Sequence, residues 1–488
     1  MPAEFAPSSA EILRFLPETI LIVGGALLMV LSVFWRNHAA GRFVPLSLLL
    51  LLAAAAASVA AQRDPGPAFR EMISADGFAA YFRVLVIAAA ALTVLVSGQY
   101  LRRERSEAGE YYALILLSAA GQCIMASSSE LIMLFIGLEI SSLASYVLAG
   151  YLRDDRRANE AALKYFLLGS FATGFLLFGI AWTYGLTGST FLEDIRAGLS
   201  DAGPELSPIL LAMAAALVFV GLAFKISAWP FQAWTPDVYQ GAPAPVAAFL
   251  AAGPKAAAFA VLIRIFMTAF EPMSARWEPL LWLTALVTMV IGNFAALTQT
   301  NIKRLLAYSS IAHAGYMLVA ITAASETGVA AVLFYLAAYT LMNVGAFAVV
   351  IHVCRKGEQF VQVHDFSGLA ERQPATAALF SLFLLSLVGI PLTAGFFGKF
   401  YIFKAALDAN LIWLTVLGLL NSAVAAYYYL RILVVMYMHP PSEATSDLPP
   451  LRGALKAAVY ASALGTLLLG VFPSLVLNFA TKSAGLVR

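Results

Sequence analysis

Fourteen apolar runs dominate the chain, at approximately 15–35, 43–61, 79–100, 111–127, 130–151, 160–184, 208–238, 246–270, 279–298, 304–322, 328–353, 376–406, 411–437 and 456–479. About 20 apolar residues let a helix cross the hydrocarbon core of a bilayer. In that medium a helix satisfies its own backbone donors and acceptors, which an isolated strand cannot do. The runs are continuous and lack the ten-residue alternation of a barrel strand, so helices are predicted. The connections at 35–42, 102–110 and 153–157 are short and polar. The stretches 197–207, with Gly203 and Pro204, and 440–450 read as surface loops. The longest connection, 354–375, is charged. The expected fold class is an all-α polytopic membrane protein of about 14 transmembrane helices.

Composition narrows the function classes. Of 488 residues, 61% are apolar and 12% charged, and the mean hydropathy is +0.83. Soluble domains carry about a quarter charged residues, so a soluble enzyme and a disordered chain are excluded. A net charge of +2 offers no basic surface to nucleic acid, and no nucleic-acid partner is expected. Cys123 and Cys354 stand alone, far from each other and from any histidine cluster. Zinc, iron–sulfur and disulfide-framework readings therefore fail, and both thiols read as small buried hydrophobes. The leader, Met1–Ala10, holds Glu4 and no basic residue, so the first span is not expected to be a cleaved signal. Loops after odd-numbered spans hold fifteen basic residues, Arg36 among them, against six on the other side, including Arg488. By the positive-inside rule the odd loops face the cytoplasm and both termini the periplasm.

The chain also resembles itself. Ser141–Ser145 (SSLAS) matches 309–313 (SSIAH), 161–165 (AALKY) matches 331–335 (AVLFY), and 221–225 (GLAFK) matches 395–399 (GFFGK). The three matches keep their order and are shifted by five spans. An odd shift turns the second copy upside down, giving two inverted five-helix repeats, an arrangement of ion-coupled transporters. Helices 7 and 12 are predicted to be discontinuous: the run 208–238 holds Gly221 and Pro230, and the twelfth span holds Gly389 and Pro391 at its middle. Span eight carries a third expected break at Gly253-Pro254. Proline removes a backbone donor, and the freed groups need protein or cavity partners inside a membrane. The corresponding domain division is 1–110 (helices 1–3), 111–270 (first repeat, helices 4–8), 279–437 (second repeat, helices 9–13) and 438–488 (loop and helix 14).

Against this background the charges inside the spans stand out. Glu139, Lys225, Lys255 and Lys399 lie well inside spans five, seven, eight and twelve, His313 inside span ten, and Lys164 one to two turns into span six. Each costs a few kcal/mol in hydrocarbon, so they are expected to face one another across a wet interior. Arg14, Arg83, Arg264, Lys404 and Arg431 are read instead as snorkelling toward an interface. Lys164 also fits a stem reaching the cytoplasmic surface, and His313 a hydrogen-bonded core histidine. A Glu139–Lys225 pair at about 4 Å and an effective dielectric near 20 would be worth about 4 kcal/mol. Moving one charge against 200 mV costs about 4.6 kcal/mol. Making and breaking one such pair is therefore of the right size to gate one proton.

Several stretches resemble a known family. The segment 221–245, GLAFKISAWPFQAWTPDVYQGAPAP, is similar to the seventh-helix signature of the antiporter-like membrane subunits of respiratory complex I, and TPDVYQGAP within it to their N-type branch, the counterpart of mitochondrial subunit 2. Pro17-Glu18, Gly253-Pro254-Lys255, 301–310 (NIKRLLAYSS) ahead of His313, and 389–400 (GIPLTAGFFGKF) support it. Gln232 departs from the histidine many relatives carry there, which puts a titrating role at 232 in doubt. The resemblance implies that Glu139 and Lys225 form the coupling pair, Lys255 the central relay and Lys399 the terminal site toward the periplasm. It implies a bacterial inner-membrane subunit moving protons from cytoplasm to periplasm, without a cofactor or redox centre in this chain. NADH, FMN, iron–sulfur clusters and quinone are then expected on partner subunits. The implied partners are paralogous antiporter-like subunits, other complex I membrane subunits, the peripheral redox arm and membrane lipids. The competing reading is a subunit of a multi-subunit Na+/H+ antiporter of shared ancestry. A passive scaffold would have no need of membrane-centre lysines.

Overall fold

A computed structural model of the chain describes residues 7–35, 41–106, 108–201 and 208–485. Glu4, Arg36, Gly203, Pro204 and Arg488 lie outside the described residues. The N-terminal part comprises α1 (Ser9–Arg14), α2 (Leu16–Phe34), α3 (Phe43–Ala61) and α4 (Gly77–Glu104). Between α3 and α4 sits a small antiparallel hairpin, β1 (Pro67–Ala68) and β2 (Ile73–Ser74). There follow α5 (Gly109–Ser127), α6 (Leu131–Ala149), α7 (Arg156–Thr187), α8 (Leu192–Asp201), α9 (Pro208–Ile226), α10 (Trp234–Gly241) and α11 (Ala244–Arg264). Beyond a π turn at Ile265–Ala269 come α12 (Ser274–Leu297), α13 (Ile302–Thr322) and α14 (Glu326–Val353). The remainder is α15 (Leu369–Arg372), α16 (Pro374–Val388), α17 (Ala394–Asp408), α18 (Ile412–Met438), α19 (Glu443–Ser446), α20 (Gly453–Val471) and α21 (Ser474–Ala484).

Twelve helices among the described residues are long and apolar enough to cross a membrane. The remaining two expected spans are also helical: 111–127 falls within α5, and 376–406 is divided between α16 and α17. Polar residues just outside the runs set where several helices begin. Asp76, Asp155, Asn301 and Ser325 accept from first-turn amides of α4, α7, α13 and α14, satisfying donors that no helix can satisfy itself. The spans of α11 and α13 are 94% buried, whereas those of α2, α7 and α18 are 33% buried. The first pair therefore forms the inner wall and the others face outward. Cys123 and Cys354 are buried and free.

Helices 7 and 12 are discontinuous. The seventh run ends as α9 at Ile226 and resumes as α10 at Trp234, with Ser227 at φ 66° and a cis peptide at Trp229-Pro230 between them. The groups freed by the break find partners. The indole of Trp234 donates to the Phe224 carbonyl at 2.9 Å, and the Trp229 amide donates to Thr288 Oγ1 at 2.9 Å. The twelfth run breaks at Gly389, which closes α16 in the left-handed region at φ 96°, and resumes at Ala394. Pro230, Gly389 and Pro391 thus lie in non-helical segments.

Gly221 and Pro254 do not. Gly221 sits inside unbroken α9, where a Cβ would lie 2.6 Å from Leu176 Cβ of α7; its smallness lets two helices approach closely. Pro254 sits inside unbroken α11. A proline removes one donor, yet the helix continues through it. At Gly253 a Cβ would lie 2.5 Å from Gln122 Oε1 of α5, so the Gly-Pro pair in span eight serves packing rather than interruption.

Candidate functional site

The two helix breaks and the inner helices place most of the expected charges in the buried interior. Lys225 occupies the last turn of α9, immediately before the break. Its ammonium lies 3.4 Å from Tyr146 Oη and over the rings of Tyr146 and Tyr165, at 5.1 and 5.3 Å from their centroids. Such rings attract a cation electrostatically. Glu139 lies two turns before Tyr146 on α6, with Oε1 buried and without a hydrogen-bond partner among the described residues. Glu139 and Lys225 are not within ion-pair distance of each other in this conformation; the lysine is held by aromatic rings.

Lys255, midway along α11, is 1% exposed. It donates to the Ser310 carbonyl at 3.0 Å and to Ser310 Oγ. One turn on, His313 exchanges hydrogen bonds with Tyr335 through Nδ1 and with Tyr429 through Nε2, the latter at 3.2 Å. Tyr429 in turn touches Ser309. At the next turn of α13, Tyr316 presents its ring to the Lys399 ammonium, 4.8 Å from the centroid. The Tyr316 hydroxyl accepts from Asn293, whose carbonyl accepts from Tyr428 at 3.1 Å. Lys399 donates to the Val388 carbonyl and to Ser422 Oγ, both at 2.8 Å. That carbonyl belongs to the last residue of α16, so the lysine caps the broken helix. One face of α13, spaced 309, 310, 313 and 316, therefore lines the stretch between Lys255 and Lys399 with hydroxyl, imidazole and phenol groups.

Lys164 stands apart, at the cytoplasmic-side end as the expected orientation has it. Its side chain is 40% exposed and pairs with Glu160 and Asp237, each at 2.7 Å. Asp237 also pairs with Arg304 at 2.7 Å, so α7, α10 and α13 are clasped around one carboxylate.

Several functional-looking residues escape sequence reasoning. Arg83 does not snorkel. It is fully buried and paired at 2.7 Å with Glu18, also fully buried, because the first turn of α2 brings it a carboxylate. Arg264, also expected to snorkel, is 8% exposed and chelates both oxygens of Asp76 at 2.8 and 2.9 Å. Lys303, counted with the loop cations, is buried and donates to Glu358 and to the Ala242 carbonyl at 2.6 Å. The Glu358 carboxylate additionally accepts from Tyr100 and the Ala244 amide, folding the 354–362 segment under the α10–α11 junction. Tyr146, Tyr335, Tyr428 and Tyr429 gave no signal because hydropathy counts them with the apolar residues. Among the described residues no three His, Cys, Asp or Glu side chains converge as metal ligands.

The sequence profile described as NADH:quinone oxidoreductase/Mrp antiporter, transmembrane, matches residues 128–425. A protein of Solibacter usitatus named NADH-quinone oxidoreductase subunit N 1 is 63% identical over 484 residues, covering 99% of each chain. One chain of respiratory complex I from Thermus thermophilus superposes with a TM-score of 0.80 at 37% identity, over 95% of this chain and 99% of that one. A chain of the Mrp complex from a Dietzia species gives a TM-score of 0.83 at 21% identity, over 98% and 97%, a likeness of fold alone.

Proposed function

Since the chain belongs to the family of antiporter-like membrane subunits shared by NADH:quinone oxidoreductase and Mrp antiporters, in its subunit N branch, we propose that it translocates protons through the buried groups just described. Protons enter from the cytoplasm near Lys164, load Lys225 under the influence of Glu139, pass to Lys255 and then by Ser310 and His313 to Lys399, from which they leave to the periplasm. The driving energy comes from redox chemistry on partner subunits that carry NADH, FMN, iron–sulfur clusters and quinone; this chain contributes a translocase and no redox centre. It works in the bacterial inner membrane beside paralogous antiporter-like subunits, with both termini periplasmic. The two inverted repeats, 111–270 and 279–437, each supply one broken helix with a lysine at or near its interruption.

The observation that carries this reading is the polar face of α13. Ser310 accepts from Lys255, and Tyr316 underlies Lys399, with His313 between them. A row of polar and titratable groups of this kind offers a proton successive stations, whereas leucine at the same positions would cost less in a passive scaffold. The test is NADH-driven acidification of inverted membrane vesicles bearing Lys225→Ala or Lys255→Ala. Both are expected to lose most of the pumping, and retention of the wild-type proton yield would overturn the assignment.

A further inference from the structure

We propose a phospholipid site on the outer flank of the molecule, with one acyl chain seated between α4, α14, α20 and α21 and an anionic headgroup held by α21. A cleft of about 440 Å³ opens there, walled by Leu85 and Leu92 of α4, Ala337 and Leu341 of α14, and Gly465 and Leu468 of α20. Its lining is almost wholly apolar. Leu475 and Phe479 of α21 close one end and also line a second, smaller hollow with Ser474, Asn478 and Lys482. The apolar cleft thus runs directly into a polar, cationic mouth.

Three features select a lipid over a neighbouring transmembrane helix. Along α4 the cleft extends from Tyr81 to Leu92, about 16 Å at the helical rise. That is one leaflet, about half of the roughly 30 Å hydrocarbon core; a packed helix would need a groove of the full depth. The second feature is charge complementarity. Ser474, Asn478 and Lys482 are exposed and spaced four apart on one face of α21, suited to hydroxyl, amide and ammonium contacts with a phosphate. The third is that the mouth is built rigidly. Tyr81 stacks on Phe479 with centroids 5.9 Å apart and donates to the Leu333 carbonyl at 2.6 Å, while Ser483 donates to the Gly77 carbonyl at 3.1 Å. These contacts pin α21 across the start of α4 at the edge where headgroups lie.

The test uses the intact complex in native membranes, labelled with phosphatidylglycerol or phosphatidylcholine carrying a photoactivatable diazirine in one acyl chain. Cross-links are expected to concentrate several-fold on peptides spanning 84–92 and 465–479 over the outward face of α3 around Leu49 and Leu52. Ala337→Phe fills the cleft and is expected to remove that excess. Lys482→Glu, on an exposed position compatible with folding, is expected to abolish the preference for phosphatidylglycerol while leaving labelling elsewhere unchanged. Labelling of the cleft no greater than of α3, or unaltered by both substitutions, would reduce the site to annular lipid. Protection of these peptides by cross-links to a neighbouring subunit would assign the cleft to a protein helix. Either outcome overturns the proposal.

Discussion

The ammonium of Lys255 donates to the main-chain carbonyl of Ser310 at 3.0 Å, one turn of α13 before His313. The same ammonium reaches the Ser310 hydroxyl, so a single serine offers the lysine both a fixed acceptor and a rotatable one. A hydrogen bond to a charged group is worth about 1.5–3 kcal/mol. Ser310→Ala keeps the carbonyl and removes the hydroxyl, and is expected to slow NADH-driven proton uptake about tenfold, with Lys255→Ala slower still. Fluorescence quenching in inverted vesicles measures both. A Ser310→Ala rate equal to wild type would leave the serine as packing.

At the other lysine the aromatic ring, rather than the hydroxyl, is the expected holder. Lys225 lies 5.1 Å from the Tyr146 centroid and a long 3.4 Å from its hydroxyl. A desolvated cation–π contact is worth about 2 kcal/mol. Tyr146→Phe is therefore expected to pump at close to the wild-type rate, and Tyr146→Leu roughly tenfold slower. Equal defects in the two variants would show that the hydroxyl carries the interaction.

The pair Glu18–Arg83 governs stability. Both side chains are fully buried at 2.7 Å, and Glu18 Oε2 and both Arg83 Nη atoms have no hydrogen-bond partner among the described residues. Removing one partner of a buried pair costs about 3–5 kcal/mol, whereas replacing both by apolar groups is often neutral. Glu18→Leu and Arg83→Met are each expected to lower the thermal midpoint sharply and to reduce assembly on native gels. The double substitution is expected to recover most of the loss. A double variant no better than the singles would mean that the charges act separately.

Lys164 and Asp237 separate transport from support. Exposed ion pairs contribute about 0.2–1 kcal/mol, so Lys164→Ala is expected to change stability by no more than about 1 kcal/mol while slowing pumping several-fold. Asp237 is shared by Lys164 and Arg304, and Asp237→Asn is expected to loosen α10. If Asp237→Asn pumps worse than Lys164→Ala, the lysine belongs to the clasp that holds α10 and not to the proton row.

The broken seventh and twelfth helices were legible because Pro230 falls inside a run too long for one straight span and the Gly389–Pro391 pair at the centre of another. Pro254 has the same local signature, yet α11 passes through it unbroken. Nothing in the local sequence separates the two cases. Arg83 was misread for a similar reason: its partner is 65 residues distant, and an isolated arginine in an apolar run looks like one that snorkels. Lys303 looked like a loop cation until the 354–362 segment folded over it. The lysines and His313 were visible as charges against hydrocarbon, but the tyrosines that connect them were hidden by their own rings.

Glycines with opposite surroundings give a final contrast. A Cβ on Gly395 would run into the Ser386 carbonyl, while the Gly395 amide donates to Ser386 Oγ at 3.1 Å. These contacts hold the start of α17 against the end of α16, where Val388 accepts from Lys399. The obstructing atom is backbone, so Gly395→Ala must push the two half-helices apart, at the 1–3 kcal/mol or more typical of overpacking. Gly174 on the outward face of α7 has nothing within 4 Å of its Cβ position. There the alanine is expected to stabilise the helix by about 0.5–1 kcal/mol and to leave pumping unchanged. Thermal midpoints and vesicle acidification on the two variants check both. Wild-type pumping by Gly395→Ala would show that the seating of Lys399 on the broken helix is dispensable for proton release.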